Sequence, residues 1–307
     1  KRTHVEAYRA QRRGGKGVTG METKAEDIVE DLFVASTHSH LLFFTNRGKV
    51  HWLKVREIPE GGRQAKGKAM VNLLALAEGE AVAACVPVRD FASGGFILFA
   101  TKQGKVKKTE LEAYSHPRAG GIQAIALEDG DEVMVARRTD GQREVVLATK
   151  LGMIIRFSED EARPMGRVAA GVRGIDVEEG DQVSAADVVQ EGAAILTVTE
   201  RGYGKRTPLP EYRLQGRAGK GIIDIKTGGR NGNVVGVLQV REGDDVLVVT
   251  TKGKIIRFSS QDVSSQGRNT WGVRVINLDP DDQVGSLARV DAEQAAEQIA
   301  EPAERGA

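Results

Sequence analysis

Short apolar and β-branched runs recur along this chain, each broken by a glycine turn and resumed with a cation a few residues later. They lie at 41–54 around Asn46-Arg47-Gly48, 96–108 around Lys102-Gln103-Gly104, 145–156 around Lys150-Leu151-Gly152, and again at 195–206 and 246–257. Thr, Val, Ile and Phe suit a pleated, half-buried surface, and a turn glycine supplies the positive φ of a short loop between twisted strands, so each run predicts a β-hairpin. A second pattern follows each hairpin at a distance: an acidic turn and then an apolar strand, as in Glu128-Asp129-Gly130-Asp131-Glu132-Val133-Met134-Val135. Its relatives lie at 79–86, 179–183, 232–238 and 281–287, and helix-period segments are nearly absent.

Between hairpin and acidic turn sits a basic, glycine-rich box. Its strongest form is Gln11-Arg12-Arg13-Gly14-Gly15-Lys16-Gly17, with weaker copies at 63–67, 118–121, 167–171, 217–221 and 268–272. The last glycines of the six copies are spaced by 50, 54, 50, 50 and 51 residues. A period near fifty, with about four strands per period, is that of a propeller blade. The expected fold is therefore all-β: six propeller-like blades in a ring or shallow spiral, forming one domain over 1–290, followed by a short acidic tail at 291–307. Lys1-Arg2-Thr3 aligns with Lys205-Arg206-Thr207 at an offset that also aligns Gly17 with Gly221. The chain is thus expected to begin inside the hairpin of its first repeat, as a piece of a longer polypeptide. The strand near 284–290 is expected to pair with that first blade, because radial folds minimise unpaired edges.

Composition narrows the picture. Of 307 residues 40% are hydrophobic, enough for a core, and 37 glycines fit a structure built on tight turns. The single cysteine, Cys85, lies in an apolar run and reads as a small core residue, so no disulfide framework exists and a reducing, cytoplasmic compartment is expected. No run of 18 apolar residues or signal peptide is present, which argues against a membrane partner or export. The net charge of +1 hides a tail of −4, which leaves +5 on residues 1–290. Acids gather in the turns and cations in the boxes, so two rims of opposite sign are expected.

A basic glycine loop suits a phosphate backbone: glycine lets backbone amides come close, and arginine adds a permanently charged, forked donor. One copy alone is a solvated turn; six copies at blade spacing describe a surface tracking a regular polyanion. The principal contacts are expected from Arg12, Arg13, Lys16, Arg63, Lys66, Lys68, Arg118, Arg167, Arg217, Lys220 and Arg268. Cations after the hairpin glycines, Lys107, Lys108, Arg156, Lys205, Arg206 and Arg257, either extend that rim or are simple strand-end charges. No recognition helix is offered to base edges, so sequence specificity should be slight. Roughly 8 to 10 neutralised phosphates would make log affinity fall against log salt with a slope of about −7 to −9.

Other constellations fail on inspection. Gly216-Arg217-Ala218-Gly219-Lys220-Gly221 has too few residues between its glycines for a nucleotide loop and lacks the magnesium-binding serine or threonine. His38 and His40 lack further metal ligands, and the acids at 159–161 and 279–282 sit in predicted turns. Trp52 and Trp271 are assigned to core or rim packing in preference to base stacking. The residues offer no catalytic group, cofactor site or metal site.

The heptapeptide Gln11 to Gly17, with the segments Asn231-Gly232-Asn233-Val234-Val235-Gly236 and Gly267-Arg268-Asn269-Thr270, closely resembles the C-terminal domain of the A subunit of bacterial DNA gyrase, a type IIA topoisomerase. The resemblance covers residues 1 to 290. It implies a six-bladed β-pinwheel with strands exchanged between blades, and double-stranded DNA wrapped with positive handedness around the basic rim so that strand passage yields negative supercoils. It also implies that Gln11, Arg12, Arg13, Gly14, Gly15, Lys16 and Gly17 are needed for wrapping. The implied partners are the N-terminal catalytic part of the gyrase A subunit and the gyrase B subunit, in a nucleoid-associated holoenzyme with two copies of each. ATP and magnesium would be used elsewhere in that assembly. None of Tyr8, Tyr114, Tyr203 and Tyr212 matches the catalytic tyrosine's context, so the chain is expected to be non-catalytic on its own. In some gyrases a strongly acidic tail tunes wrapping; residues 291–307 are short beside those. The equivalent domain of topoisomerase IV is the alternative, where the box is degenerate. A protein-binding propeller scaffold is the alternative of another class, poorly served by 5% aromatic residues.

Overall fold

The computed structural model describes residues 1–3, 35–62, 65–252 and 254–290. The first box, Gln11 to Gly17, together with Arg63 and the tail at 291–307, lies outside the described residues.

All five expected hairpins form: β1 (His40–Thr45) with β2 (Lys49–Lys54), β4 (Phe96–Thr101) with β5 (Lys105–Glu110), β8 (Glu144–Thr149) with β9 (Met153–Ser158), β12 (Ala194–Thr199) with β13 (Tyr203–Pro208), and β16 (Asp245–Thr250) with β17 (Ile255–Ser259). A buried threonine ends the first strand of each. The hydroxyls of Thr45, Thr101, Thr149 and Thr250 accept from the amides of Lys49, Lys105, Met153 and Lys254 at 3.1–3.2 Å, which closes the turn without a water. Thr199 instead donates to the Tyr203 carbonyl at 3.0 Å.

The apolar strands after the acidic turns are β3 (Val82–Val88), β7 (Val133–Thr139), β11 (Val183–Val188), β15 (Val234–Val240) and β19 (Val284–Val290). Each pairs antiparallel with the first strand of the hairpin just before it. β19 therefore completes the last hairpin through β16 and is not the partner of the first blade expected for it, because its apolar face already matches β16. The acids of the turns have a local purpose: Asp131, Asp181 and Asp282 accept from the hairpin-turn amides of Gln103, Leu151 and Lys252 at 2.9, 2.9 and 3.1 Å. β3, β7, β11, β15 and β19 pack against one another in chain order and so line the inner edge of the blades.

The fourth strands are two residues long and follow the boxes: β6 (Ile122–Gln123), β10 (Val172–Arg173), β14 (Ile222–Ile223) and β18 (Val273–Arg274). They pair with β2, β5, β9 and β13, in each case the hairpin of the preceding unit, so neighbouring blades exchange strands. The order within a sheet runs β3-β1-β2-β6, which puts the box strand on the edge opposite the inner one. Among the described residues there are five blades, where six were expected: four of four strands and a last one, β17-β16-β19, of three. Most of the first repeat lies outside the described residues, but Arg2 bridges Glu60 in parallel as Arg206 of β13 bridges Ser265.

Aliphatic and aromatic side chains from consecutive blades fill the seams. Phe44 of β1 meets Phe99 of β4 and Tyr114 edge-on, with ring centroids 5.0 and 5.6 Å apart. Leu98 packs with Val145 and Phe157, and Val198 with Val248 and Val284. No α-helix occurs among the described residues; short 3-10 turns stand in its place.

Candidate nucleic-acid interface

Each box is set by its final glycine. Gly171 has φ 88° and Gly221 φ 77°, and a Cβ on either would come within 3.0 Å of a backbone carbonyl, that of Val106 or Ile154, on the hairpin of the preceding blade. Only glycine permits both the left-handed backbone and that approach. After the boxes at 118–121, 167–171, 217–221 and 268–272 the chain runs directly into the exchanged strand, so these four boxes hang on the outer edge of the blade before their own.

The box arginines repeat one contact. Arg167 donates to the Gln123 carbonyl at 3.3 Å, Arg217 to the Arg173 carbonyl at 2.9 Å and Arg268 to the Ile223 carbonyl at 3.3 Å. In each case the acceptor is the second residue of the exchanged strand one blade earlier, so guanidinium groups link consecutive boxes along the rim. Arg217 is further held by the Glu161 carbonyl at 3.0 Å, while its own amide donates to the Glu161 carboxylate at 2.9 Å. A guanidinium has five N–H donors, and these carbonyl contacts leave several for an anion. Arg118, exposed, and Arg167, half-buried, share an open concavity of about 530 Å³ with His116. Lys66 and Lys68 are exposed beside the second box, and Lys220 is exposed and paired with Glu178 at 2.9 Å. Arg118, Arg167, Arg217, Lys220 and Arg268 lie in boxes that precede an exchanged strand and so share the outer edge.

The cations after the hairpin glycines divide. Lys107 and Lys205 are fully buried and Lys108 nearly so, so these three are interior groups and do not extend the rim. Lys107 Nζ donates to the carbonyls of Ala124 at 2.6 Å and Arg167 at 2.5 Å. Lys205 Nζ donates to those of Asp224 at 2.6 Å and Gly267 at 2.9 Å. Both lysines thereby hold a box from beneath. Lys108 donates to the Glu159 carbonyl at 3.1 Å. Arg156, half-buried, pairs with Glu144 at 2.5 Å and donates to the carbonyls of Leu209 and Tyr212. Arg206 is half-buried, and Arg257 is exposed and paired with Asp245 at 2.5 Å.

Burial sets the chemistry of the two buried lysines. Loss of water, and then the nearby Arg167 charge, push the Lys107 ammonium down to about 7. Lys205 is also lowered by burial, but Asp224 at 3.3 Å opposes the shift. Ala124 stands beside Lys107 where Asp224 stands beside Lys205, so Lys107 has two carbonyls and the Phe99 ring at 5.6 Å but no carboxylate at that position. Reading residues singly missed this, because a lysine after a turn looks the same whether its strand position faces in or out. The signal was the strand period: Lys107 and Lys205 share the inward position of Ile155.

The other candidates stay structural. Glu159 is fully buried, accepting from Thr139 at 2.6 Å and from the Arg143 amide at 2.5 Å, and is not a solvated turn acid. No group of three or more potential metal ligands occurs among the described residues. Trp52 is half-buried with its indole N–H on the Tyr114 carbonyl at 2.8 Å, whereas Trp271 is exposed in the last box.

Comparison with known proteins agrees with this architecture. A family model described as the DNA gyrase C-terminal domain, beta-propeller, matches in six segments: 1–36, 39–89, 95–140, 143–190, 193–241 and 244–291. The DNA gyrase A subunit of Halalkalibacterium halodurans is 48% identical over 293 residues, 95% of this chain and 35% of that protein. The DNA gyrase A subunit of Klebsiella oxytoca is 44% identical over 286 residues, 93% of this chain and 33% of that protein. The chain thus spans about a third of the length of these relatives. Among solved structures, the C-terminal domain of DNA topoisomerase IV superposes with TM-score 0.79 at 29% identity, covering 86% of this chain and 83% of that one. The DNA gyrase A C-terminal domain superposes with TM-score 0.73 at 25% identity, covering 89% and 92%. With its repeated boxes, its exchanged strands and a family match running through every repeat, the chain belongs to the DNA gyrase C-terminal domain family of beta-propellers.

Proposed function

We propose that this chain binds and bends duplex DNA around its box-bearing edge, with little sequence specificity, as the non-catalytic wrapping module of a bacterial gyrase. The observation that carries the reading is the arginine relay, in which Arg167, Arg217 and Arg268 make the same carbonyl contact blade after blade. Such spacing suits a phosphate backbone, whose charge is uniform and periodic, and bending a duplex costs several kcal/mol that a single patch would not offset. The partners on this reading are the N-terminal part of the gyrase A subunit and the gyrase B subunit, with ATP and magnesium used elsewhere in the holoenzyme. Wrapping with positive handedness would let strand passage introduce negative supercoils, and the bacterial cytoplasm would be the place of action. Among the described residues no helix is long and apolar enough to cross a membrane.

The domain is further proposed to have six blades. Among the described residues β17 has a free edge where β2, β5, β9 and β13 each carry a box strand, and Val18-Thr19 follow Gly17 as the box strands follow their glycines.

Binding to nicked circular DNA, ligation and removal of protein should leave a positive linking-number shift that vanishes at high salt. Replacing Arg167, Arg217 and Arg268 together with glutamine should weaken the salt slope by about 2.7, roughly 0.9 for each lost phosphate contact. The same change at the exposed Lys66, Lys68 and Lys220, which bear no part of the fold's hydrogen bonding to carbonyls, separates lost contacts from lost folding. Binding without any linking shift would match a topoisomerase IV type domain that bends without a defined hand; unaltered salt slopes in both variants would overturn the interface.

A further inference from the structure

The turn before β15, expected to resemble the acidic turns of the other units, reads Gly228-Gly229-Arg230-Asn231-Gly232 and carries no acid; Asp224, directly after β14, is buried. The guanidinium of Arg230 lies over the Tyr203 ring at 4.9 Å and over Trp271 at 5.9 Å. Arg274 lies over Tyr203 at 5.0 Å and donates to its hydroxyl at 2.7 Å. Two arginines and two aromatic rings thus form one surface cluster at the sixth box, with Trp271 38% exposed. Exposed Lys226 and Arg201 flank it. The acid nearby, Glu200, is held by the Asn233 amide at 2.8 Å and its side chain at 3.2 Å.

The cluster is rigidly mounted. Asn231 is fully buried, and its amide group donates to the carbonyls of Lys226 at 2.7 Å and Trp271 at 3.0 Å. The Lys226 amide donates to the Thr270 carbonyl at 2.9 Å, and Arg230 reaches the Gly272 carbonyl at 3.3 Å. The tip of Trp271 lies over Gly229, where a Cβ would sit 3.8 Å from the ring. An exposed indole fixed by its backbone loses little freedom on binding a flat partner.

We propose that Trp271, Tyr203, Arg230 and Arg274 form a stacking platform for an unpaired nucleobase. A base inside an intact duplex has both faces covered by its neighbours, so a surface ring can stack on it only where a step is opened or the base has left the helix. Aromatic rings with flanking arginines are the chemistry that holds single-stranded nucleic acid: the rings take the bases, and the cations take the phosphates on either side. An excess of cations over acids favours that ligand over a peptide. The platform goes beyond wrapping of intact duplex, which needs no ring.

Trp52→Phe leaves Trp271 as the single tryptophan. A single-stranded thymidine dodecamer should quench its emission saturably. In the otherwise unaltered 307-residue chain, Trp271→Ala should weaken dodecamer binding by about fivefold or more. Trp271→Phe should retain most of that affinity, and Trp271→Ala should weaken binding of a blunt duplex by a clearly smaller factor than it weakens dodecamer binding. Tight duplex binding without quenching by the dodecamer would overturn the platform and leave the rim reading intact. Quenching by the dodecamer with no duplex binding would support the platform and overturn the rim. Equal losses for both nucleic acids, or quenching by an acidic peptide alone, would also overturn the platform.

Discussion

Lys107 shows how one residue can couple a blade's interior to its box. Its ammonium is buried among two carbonyls and the Phe99 ring, and burial, with the nearby Arg167 charge, lowers it to about 7. An unfolded lysine titrates near 10.4, so between these values the unfolded chain binds the extra proton. Stability attributable to Lys107 therefore rises with pH from about 7 upward, by up to about 1.4 kcal/mol per unit, and is flat below that where both states are protonated. Lys107→Met should remove this slope: urea midpoints measured at pH 6 and pH 9 should differ less in the variant than in the parent. Parallel pH curves would mean that Lys107 keeps its proton in the folded chain across that range, so that its burial costs it no charge. Lys205, next to Asp224, gains back part of its charge stabilisation, so the same substitution there removes a paired charge and leaves Asp224 exposed to the interior cost.

At the scale of the element, the box and its two-residue strand act together. The strand is too short to be found from alternation; what marks it is the box glycine before it. Gly171→Ala would force φ 88° on a Cβ and drive it against the Val106 carbonyl, so a loss of about 2 kcal/mol in unfolding free energy is expected. Gly166→Ala, in the loop just before the same box, meets nothing within 4 Å and should change stability by less than about 0.5 kcal/mol. Equal effects in a denaturant titration would contradict the docking role given to the final glycine. The hairpins, by contrast, were plain in the sequence, because an apolar, β-branched run, a turn glycine and a following cation coincide in every copy. The threonine before each turn was equally visible in the sequence, but its meaning needed the hydroxyl-to-amide distances.

For the whole molecule, the main question is how the ends of the blade series meet. The last sheet has three strands, and β17 presents an unpaired edge among the described residues. If the first repeat supplies the missing strand, a chain truncated to begin at residue 35 should expose that edge and self-associate with rising concentration in sedimentation experiments, while the full chain stays monomeric. A truncated chain that remains monomeric and equally stable would argue against six-blade closure. The expected separation of charge holds in part: box cations share the outer edge, yet acids of the turns reach some of them, as Glu178 reaches Lys220.

The repeat, its period, the hairpins and the boxes are all properties of local pattern, since apolar runs and glycine turns need no distant partner to be recognised. Which strand pairs with which is a different kind of fact. β19 was expected to reach the first blade and instead joins β16, and each box strand joins the preceding hairpin, because pairing depends on which edge is free once the blades are assembled. The same holds for the cations. Sequence leaves open whether Lys107, Lys108 and Lys205 extend the rim of Arg167 and Arg217 or are strand-end charges, and only packing shows that these three face inward onto carbonyls. Trp271 is the reverse case: a ring assigned to packing by its residue type is left exposed by the loop that Asn231 holds in place, since exposure is set by neighbours that lie 40 residues away in sequence.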